Sequence, residues 1–528
     1  MNNFRKKFFY LFLLLFFVIG SITSLNVGIS HDEYHEEENW KFNQTLTKNI
    51  YKKIFSGEVS NFKKEEYKDR YYGIGFQIVS QPIQFFLKDF LIKHQQISEY
   101  GSKLVSKHFV VFLFFFISGI CFYLIQKKII KNKYFCYFST SIYLLYPYLL
   151  GHSFFNPKDI PFMSTWLLCT YVSFNFFEKI IKNNFISFYK IIIFSVATAF
   201  LLSIRITGVL IFLQYFMTFI IFISIEKINF YNFIKKFYKK IIAFIIFLFF
   251  TFYIMNPVYW SNPFDIINAI KSMGHYYHDI CTETLGECMA AKNLPVTYIP
   301  IWFSVKLPLL IIIGIFLIPF VEKKIFIDKK KNMVFGTILV TTISIPIILI
   351  LRNTNLYDEI RHLMFLMPFF FILGTVSFYI FSKKLFYLLG VLTISIFIYE
   401  NIKVHPYQYV WFNLPSRFID LTNKFELEYQ GISGKEISIE ITKSIENETC
   451  ILTSPIHSVK PFLKKSKFDC YDIWQYVDTN YQRPFLAIQH VRNIKKSMPY
   501  NCKLIFESSF NLLFHNKKFV AGKLLKCT

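Results

Sequence analysis

The sequence predicts an α-helical polytopic membrane protein of about eleven transmembrane helices, ending in a small α/β domain. Three observations carry that prediction. Of 528 residues, 54% are hydrophobic and 67 are Phe, with a mean hydropathy of +0.37, which is richer in apolar and aromatic residues than ordinary soluble domains. The apolar residues gather in blocks of about 18 to 25, long enough to cross a hydrocarbon core of roughly 30 Å as helices. They lack strand-like alternation, and a span must satisfy its own backbone, so helices are expected. Finally, the stretch from about Asn401 to Thr528 is polar and long enough for a separate domain.

The first apolar block runs from about Phe8 to Ile29 behind Arg5, Lys6 and Lys7. It is long and no small-residue cleavage motif follows, so a retained signal-anchor helix is expected rather than a cleaved peptide. Further blocks lie near 106–126, 133–152, 160–180, 187–203, 206–225, 238–255, 300–320, 333–351, 362–380 and 383–400. The formal charge is +25. A basic balance can signal nucleic acid, but here Lys clusters between the apolar blocks, as cytoplasmic loops do, and no nucleic-acid partner is expected. With the N-terminus in the cytoplasm, the inside loops are Lys127–Lys133, Glu178–Lys190, Glu226–Lys240, Val321–Lys331 and Lys383–Lys384, all rich in Lys. The reading is therefore a multi-pass protein of the cytoplasmic (inner) membrane. Residues 1–400 are expected to form the membrane domain, its extracytoplasmic loops carrying the candidate functional residues, and 401–528 an extracytoplasmic domain.

In that tail, Cys450–Ser454, Arg483–Val491 and Lys503–Ser509 read as strands and Lys435–Glu446 as helix. Cys121, Cys136 and Cys169 lie in membrane blocks and are expected to pack there. Cys281 and Cys288 share an outside loop and are the favoured disulfide. Cys450, Cys470, Cys502 and Cys527 lie in the tail with no connectivity deducible, and free thiols are the alternative throughout.

Six polar clusters fall at the outer ends of helices. They are His31–His35 (HDEYH), His152–Asp159 (HSFFNPKD), Arg205–Gly208 (RITG), Asn256–Trp260 (NPVYW), Tyr357–His362 (YDEIRH) and His405–Tyr409 (HPYQY). Ionisable groups near a membrane are costly and tend to pair or to work. A carboxylate pair with cations at other helix ends suits one reaction in particular. The carboxylate takes a proton from an acceptor hydroxyl, cations neutralise a phosphate leaving group, and the bundle holds a lipid tail. Each cluster also has a plainer reading. Asp32 and Glu33 could cap a helix, His31 and His35 could bind a metal with the carboxylates, the Asn-Pro pairs could be turns, and Arg205 and Arg361 could be interfacial anchors. It is their gathering on one face that argues for a site.

At these residues the chain resembles the GT-C glycosyltransferases. Asp32-Glu33 in the first outer loop resembles their signature. His152–Phe162, Arg205–Gly208, Tyr357–Pro368, Leu294–Leu309, His405–Asn413 and Phe425–Ser433 are similar, in order, to segments of bacterial members of the dolichyl-phosphate-mannose–protein mannosyltransferase (family 39-like) group. The resemblance implies an inverting transferase that moves a sugar from a polyprenyl-phosphate donor to an acceptor hydroxyl. It implies Asp32 as general base and Glu33 as the group positioning it or the acceptor. Arg205, Lys306 and Arg361 would hold the donor phosphate, with Lys158, Asp159, Asn156, His152 and His362 as further substrate contacts. No cofactor is implied with certainty and a divalent metal stays open. The partners implied are the lipid-linked donor, membrane lipids and a protein, lipid or glycan acceptor. Two positions depart from the pattern: Glu359, where a Gly-like small residue is expected, and Gln430, where an aromatic is expected. The rival readings are a lipid A or glycan-modifying transferase of the same fold, such as the aminoarabinose transferases, a transporter or flippase, and a non-catalytic member of the family. A transporter should show internal repeats and polar groups at mid-membrane, and neither is evident.

Overall fold

The computed structural model describes residues 2–57, 62, 64–95, 97–183, 187–272, 279–444, 451–463, 470–472, 485–490 and 501–527. Its helices are α1 (Asn2–Ser24), α2 (His31–Ser56), α3 (Gly75–Gln95), α4 (Glu99–Ile129), α5 (Lys133–Leu145), α6 (Pro147–His152), α7 (Asp159–Asn183), α8 (Phe188–Ile204), α9 (Ile211–Glu226) and α10 (Phe230–Met255). After α11 (Asp265–Ser272) comes a hairpin of β1 (Cys281–Thr284) and β2 (Glu287–Ala290). Then follow α12 (Tyr298–Lys306), α13 (Leu309–Phe316), α14 (Ile318–Phe326), α15 (Lys329–Leu351), α16 (Met367–Phe381) and α17 (Lys383–Lys403).

Among the described residues eight helical stretches are long and apolar enough to cross a membrane, nine if α12 and α13 count as one bent span. The chain is a polytopic helical membrane protein. All eleven expected blocks are helical, but three are not simple spans. Block 133–152 breaks into α5 and α6 at Tyr146, which precedes Pro147 and sits at ψ 116°. Block 300–320 breaks at Leu307 before Pro308 and turns by 119°. In both cases the proline ring drives the preceding residue out of the helical region. Block 187–203 is the 17-residue α8, one turn short of the usual span.

α7 and α16 lie at the centre of the bundle, with α10 and α17 at its rim. Polar side chains tie the helices together where no water competes: Gln126 to Thr375 at 2.8 Å, Trp166 to Gln214 at 2.7 Å, and Gln214 to Thr170 at 2.8 Å. α13 crosses α16 at Gly314 and Gly374. A Cβ on Gly314 would come 2.0 Å from the Gly374 carbonyl oxygen, so only glycine allows that approach.

Past α17 the chain stays with the membrane helices before forming its own layer. Tyr409, Trp411, Phe412 and Phe425 belong to the same buried apolar cluster as the helix cores. Arg417 is buried against Glu400 at the end of α17, and donates to the carbonyls of Phe412 at 2.9 Å and Leu513 at 2.8 Å. Breaking a buried ion pair leaves one charge uncompensated, so Arg417→Met should destabilise by about 3–5 kcal/mol, read as a lowered unfolding midpoint in detergent. After the short α18 (Leu421–Lys424), α19 (Gly434–Ser444) packs on a five-stranded sheet in the order β4 (Cys470–Asp472), β3 (Ile451–Ser454), β5 (Phe485–His490), β7 (Phe519–Cys527) and β6 (Cys502–Phe510). β3 runs parallel to β4 and β5, and β7 antiparallel to β5 and β6. The three expected strands and the expected helix are all present. Cys281–Cys288 and Cys502–Cys527 are disulfides, and Cys121, Cys136 and Cys169 are buried thiols. Cys450 lies outside the described residues.

Candidate active site

A cavity of about 960 Å³ opens between one end of the bundle, the β1–β2 hairpin and the C-terminal layer. α2 supplies one wall. His31, Asp32, His35, Glu36 and Asn39 line the cavity at the spacing that puts residues on one helical face. The sequence motif read as an outer loop is thus the first turn of a helix. Glu33 starts that helix: its Oε1 accepts from the Ser30 N–H at 2.7 Å and the Ser30 hydroxyl at 2.9 Å, the reciprocal half of a capping box. Its Oε2 meets His108 Nε2 at 2.8 Å. Glu33 therefore faces away from the cavity, and Asp32 faces into it.

Three cations from three further segments reach the same space, each with an acid beside it. Arg361 pairs with Asp32 and also with Asp358, at 3.1 Å. Lys158 pairs with Glu36 at 2.7 Å and lies 4.0 Å from the centre of the Tyr72 ring. Arg205 pairs with Asp159 at 2.8 Å. Burial alone would raise the Asp32 carboxyl, but the Arg361 guanidinium, with Lys158 behind it, outweighs burial and holds it well below the usual carboxylate range. His362 lines the cavity edge-on to Tyr357.

Other expected contacts sit behind the cavity wall. Asn156 caps α7, its Oδ1 accepting the N–H groups of Lys158 and Asp159 at 3.1 and 2.8 Å. Its Nδ2 meets His152 Nδ1 at 3.1 Å and Asp159 Oδ2 at 2.9 Å. His152, Asn156 and Asp159 thereby aim Lys158 and Arg205 without lining the space themselves. Lys306 is fully buried, 2.8 Å from Glu359, and its ammonium is spent on that carboxylate instead of reaching the cavity. His31 and His35 face each other, Nε2 to Nε2 at 3.2 Å. Among the described residues no group of three or more His, Cys, Asp or Glu side chains could hold a metal ion.

The loop carrying Arg361 has an unusual backbone. Asp358 and Glu359 both have positive φ, 56° and 65°, a left-handed conformation that costs an L-residue about 1–2 kcal/mol. This explains why a small residue is expected at Glu359: glycine takes this conformation freely. Glu359 takes it with its carboxylate anchored on Lys306.

Several lining residues were not singled out from sequence. Asp358 and Glu428 lay within quoted motifs, but nothing in the spacing marked them. Glu428 Oε1 accepts the N–H groups of Gln430, Gly431 and Ile432 and the Tyr409 hydroxyl, while the residue borders the cavity. Asp279, Glu283 and Cys288 of the hairpin region, and His490 of β5, come from distant segments.

Fold and site together define a polytopic helical membrane protein with a cavity at one end of its bundle, where cations from separate segments converge beside a carboxylate. No protein-family profile and no curated protein matches the sequence. Among solved structures the chain is similar to ArnT from Cupriavidus metallidurans in the apo state, with a TM-score of 0.48 and 10% identity over 97% of each chain.

Proposed function

We propose that this protein is an inverting GT-C-type glycosyltransferase that moves a sugar, by resemblance a hexose of the mannosyl kind, from a polyprenyl-phosphate donor to an acceptor hydroxyl. The observation that carries the reading is the Asp32–Arg361 pair in a cavity where Lys158 and Arg205 also converge. A donor phosphate competes with Asp32 for Arg361. Once Arg361 has turned to the phosphate, Asp32 loses the charge that holds its pKa down and becomes a competent base. It takes the acceptor proton as the acceptor oxygen bonds to the anomeric carbon. The carbon–oxygen bond to phosphate breaks, and the electron pair leaves on a phosphate neutralised by cations. Glu33 serves as a positioning residue through the start of α2, and Lys306 through Glu359.

In this reading residues 1–400 are the catalytic membrane unit and residues 401–528 cover the cavity. The Lys-rich loops support a cytoplasmic N-terminus and an extracytoplasmic cavity in the cytoplasmic membrane. Arg361, Lys158 and Arg205 are the groups placed to meet the leaving-group charge, with a divalent metal as the alternative. The acceptor is a lipid, a glycan or a protein.

The test is transfer from radiolabelled polyprenyl-phosphate sugars in membranes holding wild type or Asp32→Asn at matched expression. Label entering one acceptor fraction with wild type alone supports the reading and names the acceptor class. Equal labelling by the two proteins removes Asp32 from the mechanism, and no labelling with any donor sinks the transferase reading.

A further inference from the structure

The disulfide-closed hairpin is joined to the loop of Arg361 by a buried hydroxyl, and a second hydroxyl holds the same loop from α12. The Asp358 N–H donates to Thr282 Oγ1 at 2.8 Å. From α12, Tyr298 Oη donates to the Glu359 carbonyl at 3.0 Å. The two bonds fall on the amide of one left-handed residue and the carbonyl of the next. Thr282 is fully buried and adjoins Cys281, whose bond to Cys288 closes the hairpin. The hairpin is docked on its other side as well: Glu426 N–H donates to the Glu283 carbonyl at 2.8 Å, Gly286 N–H to the Lys424 carbonyl at 3.0 Å, and Trp302 Nε1 to Thr284 Oγ1 at 3.1 Å.

We propose that Thr282 is a positioning residue: from its disulfide-braced hairpin it holds Asp358 and Glu359 in their left-handed conformation and so sets where Arg361 points. Asp visits this backbone region at modest cost, but Glu does not, so at Glu359 it persists only where surrounding groups over-determine it. The hydroxyl at position 282 supplies the buried acceptor that the Asp358 N–H needs. Valine matches its shape and accepts nothing. The consequence for catalysis rests on the transferase reading; the consequence for the loop does not.

The experiment uses the full-length protein in lipid nanodiscs, as Thr282→Val, Thr282→Ser and Cys281→Ser/Cys288→Ser. Two quantities are read: hydrogen exchange over Tyr357–Arg361, and KM and kcat with polyprenyl-phosphate sugar. Thr282→Val should speed exchange at the Asp358 amide roughly tenfold, as expected for one lost buried hydrogen bond, and raise donor KM by a similar factor with a smaller change in kcat. Thr282→Ser should restore both. The double Cys variant should shift both in the same direction as Thr282→Val. If Thr282→Val fails to fold, Tyr298→Phe removes the bond to the Glu359 carbonyl alone and should speed exchange in the same segment. Unchanged exchange in Thr282→Val, or a Ser variant as impaired as Val, overturns the proposal. Faster exchange in a protein whose wild type transfers no sugar leaves the clamp standing and removes only the transferase reading.

Discussion

Asp32→Asn is expected to lower turnover by about 10²- to 10⁴-fold, the range that a positioned general base contributes, while donor binding is kept or tightened. Tightening follows from the geometry. Arg361 divides its guanidinium between Asp32 and Asp358, and removing one carboxylate leaves more of it for a phosphate. Measured KM should thus fall or hold as kcat collapses. The pH profile of wild type offers a second reading of the same pair. The acid limb of kcat/KM reports the free enzyme, where Arg361 keeps Asp32 ionised well below the usual carboxylate range. The limb of kcat reports the donor complex, where Arg361 has turned to the phosphate. It should therefore lie at higher pH than the limb of kcat/KM. Coincident limbs would mean that Arg361 never leaves Asp32, and the exchange of partners would have to be abandoned.

The second large effect concerns stability. Lys306→Met should destabilise the protein by up to about 3–5 kcal/mol at pH above about 8, where Glu359 would ionise without its cation, and by less at lower pH, where Glu359 keeps its proton. Thermal unfolding in detergent measures this directly. Glu359→Gln tests the other half through pH. Burial pushes the Glu359 carboxyl up to about 8 although Lys306 pulls it back, against about 4.3 in an unfolded chain. A pKa raised by folding gives stability that is full below the unfolded value and lost as pH rises through the folded one. The wild-type unfolding midpoint should accordingly fall between about pH 5 and 8 relative to that of Glu359→Gln, which has no proton to lose. Parallel pH curves for the two proteins would show that Glu359 does not titrate in this window. Glu359→Gly is a further comparison: it relieves the left-handed backbone but strands Lys306, and the buried charge should dominate.

The membrane helices were legible because blocks of apolar residues need only length to declare themselves. Their interruptions at Tyr146-Pro147 and Leu307-Pro308 were written in the sequence as well, but hydropathy averaged over a window hides a proline that leaves the apolar character intact. The amphipathic α3 escaped for the opposite reason, since its Lys and Gln residues dilute it below a span. At the site, Asp32, Lys158, Arg205, Arg361 and His362 were singled out and do share one cavity. Glu33, His152, Asn156, Asp159 and Lys306 were singled out by the same reasoning and lie behind it. A motif records that a residue matters to a place, not which way its side chain turns. Asp32 and Glu33 are neighbours in sequence and diverge because successive residues on a helix point about 100° apart. The hairpin and His490 could not be assigned to the site from sequence, since only the fold brings residues 279–288 and 490 to the same cavity as Arg361.

The cation–acid pairing has a further consequence for which anions the cavity admits. Eight carboxyl side chains border it against three Lys and Arg side chains. To a solute arriving from water this is an acidic mouth, and a free sugar nucleotide or phosphate ion meets repulsion there before it meets Arg361. A headgroup tethered to a lipid is held at the membrane by its tail, and its local concentration is set by anchoring, not by long-range attraction. For the lipid-linked donor proposed above, the surplus of carboxylates would act as a filter against soluble anions, and the tether would supply the effective concentration that the field withholds.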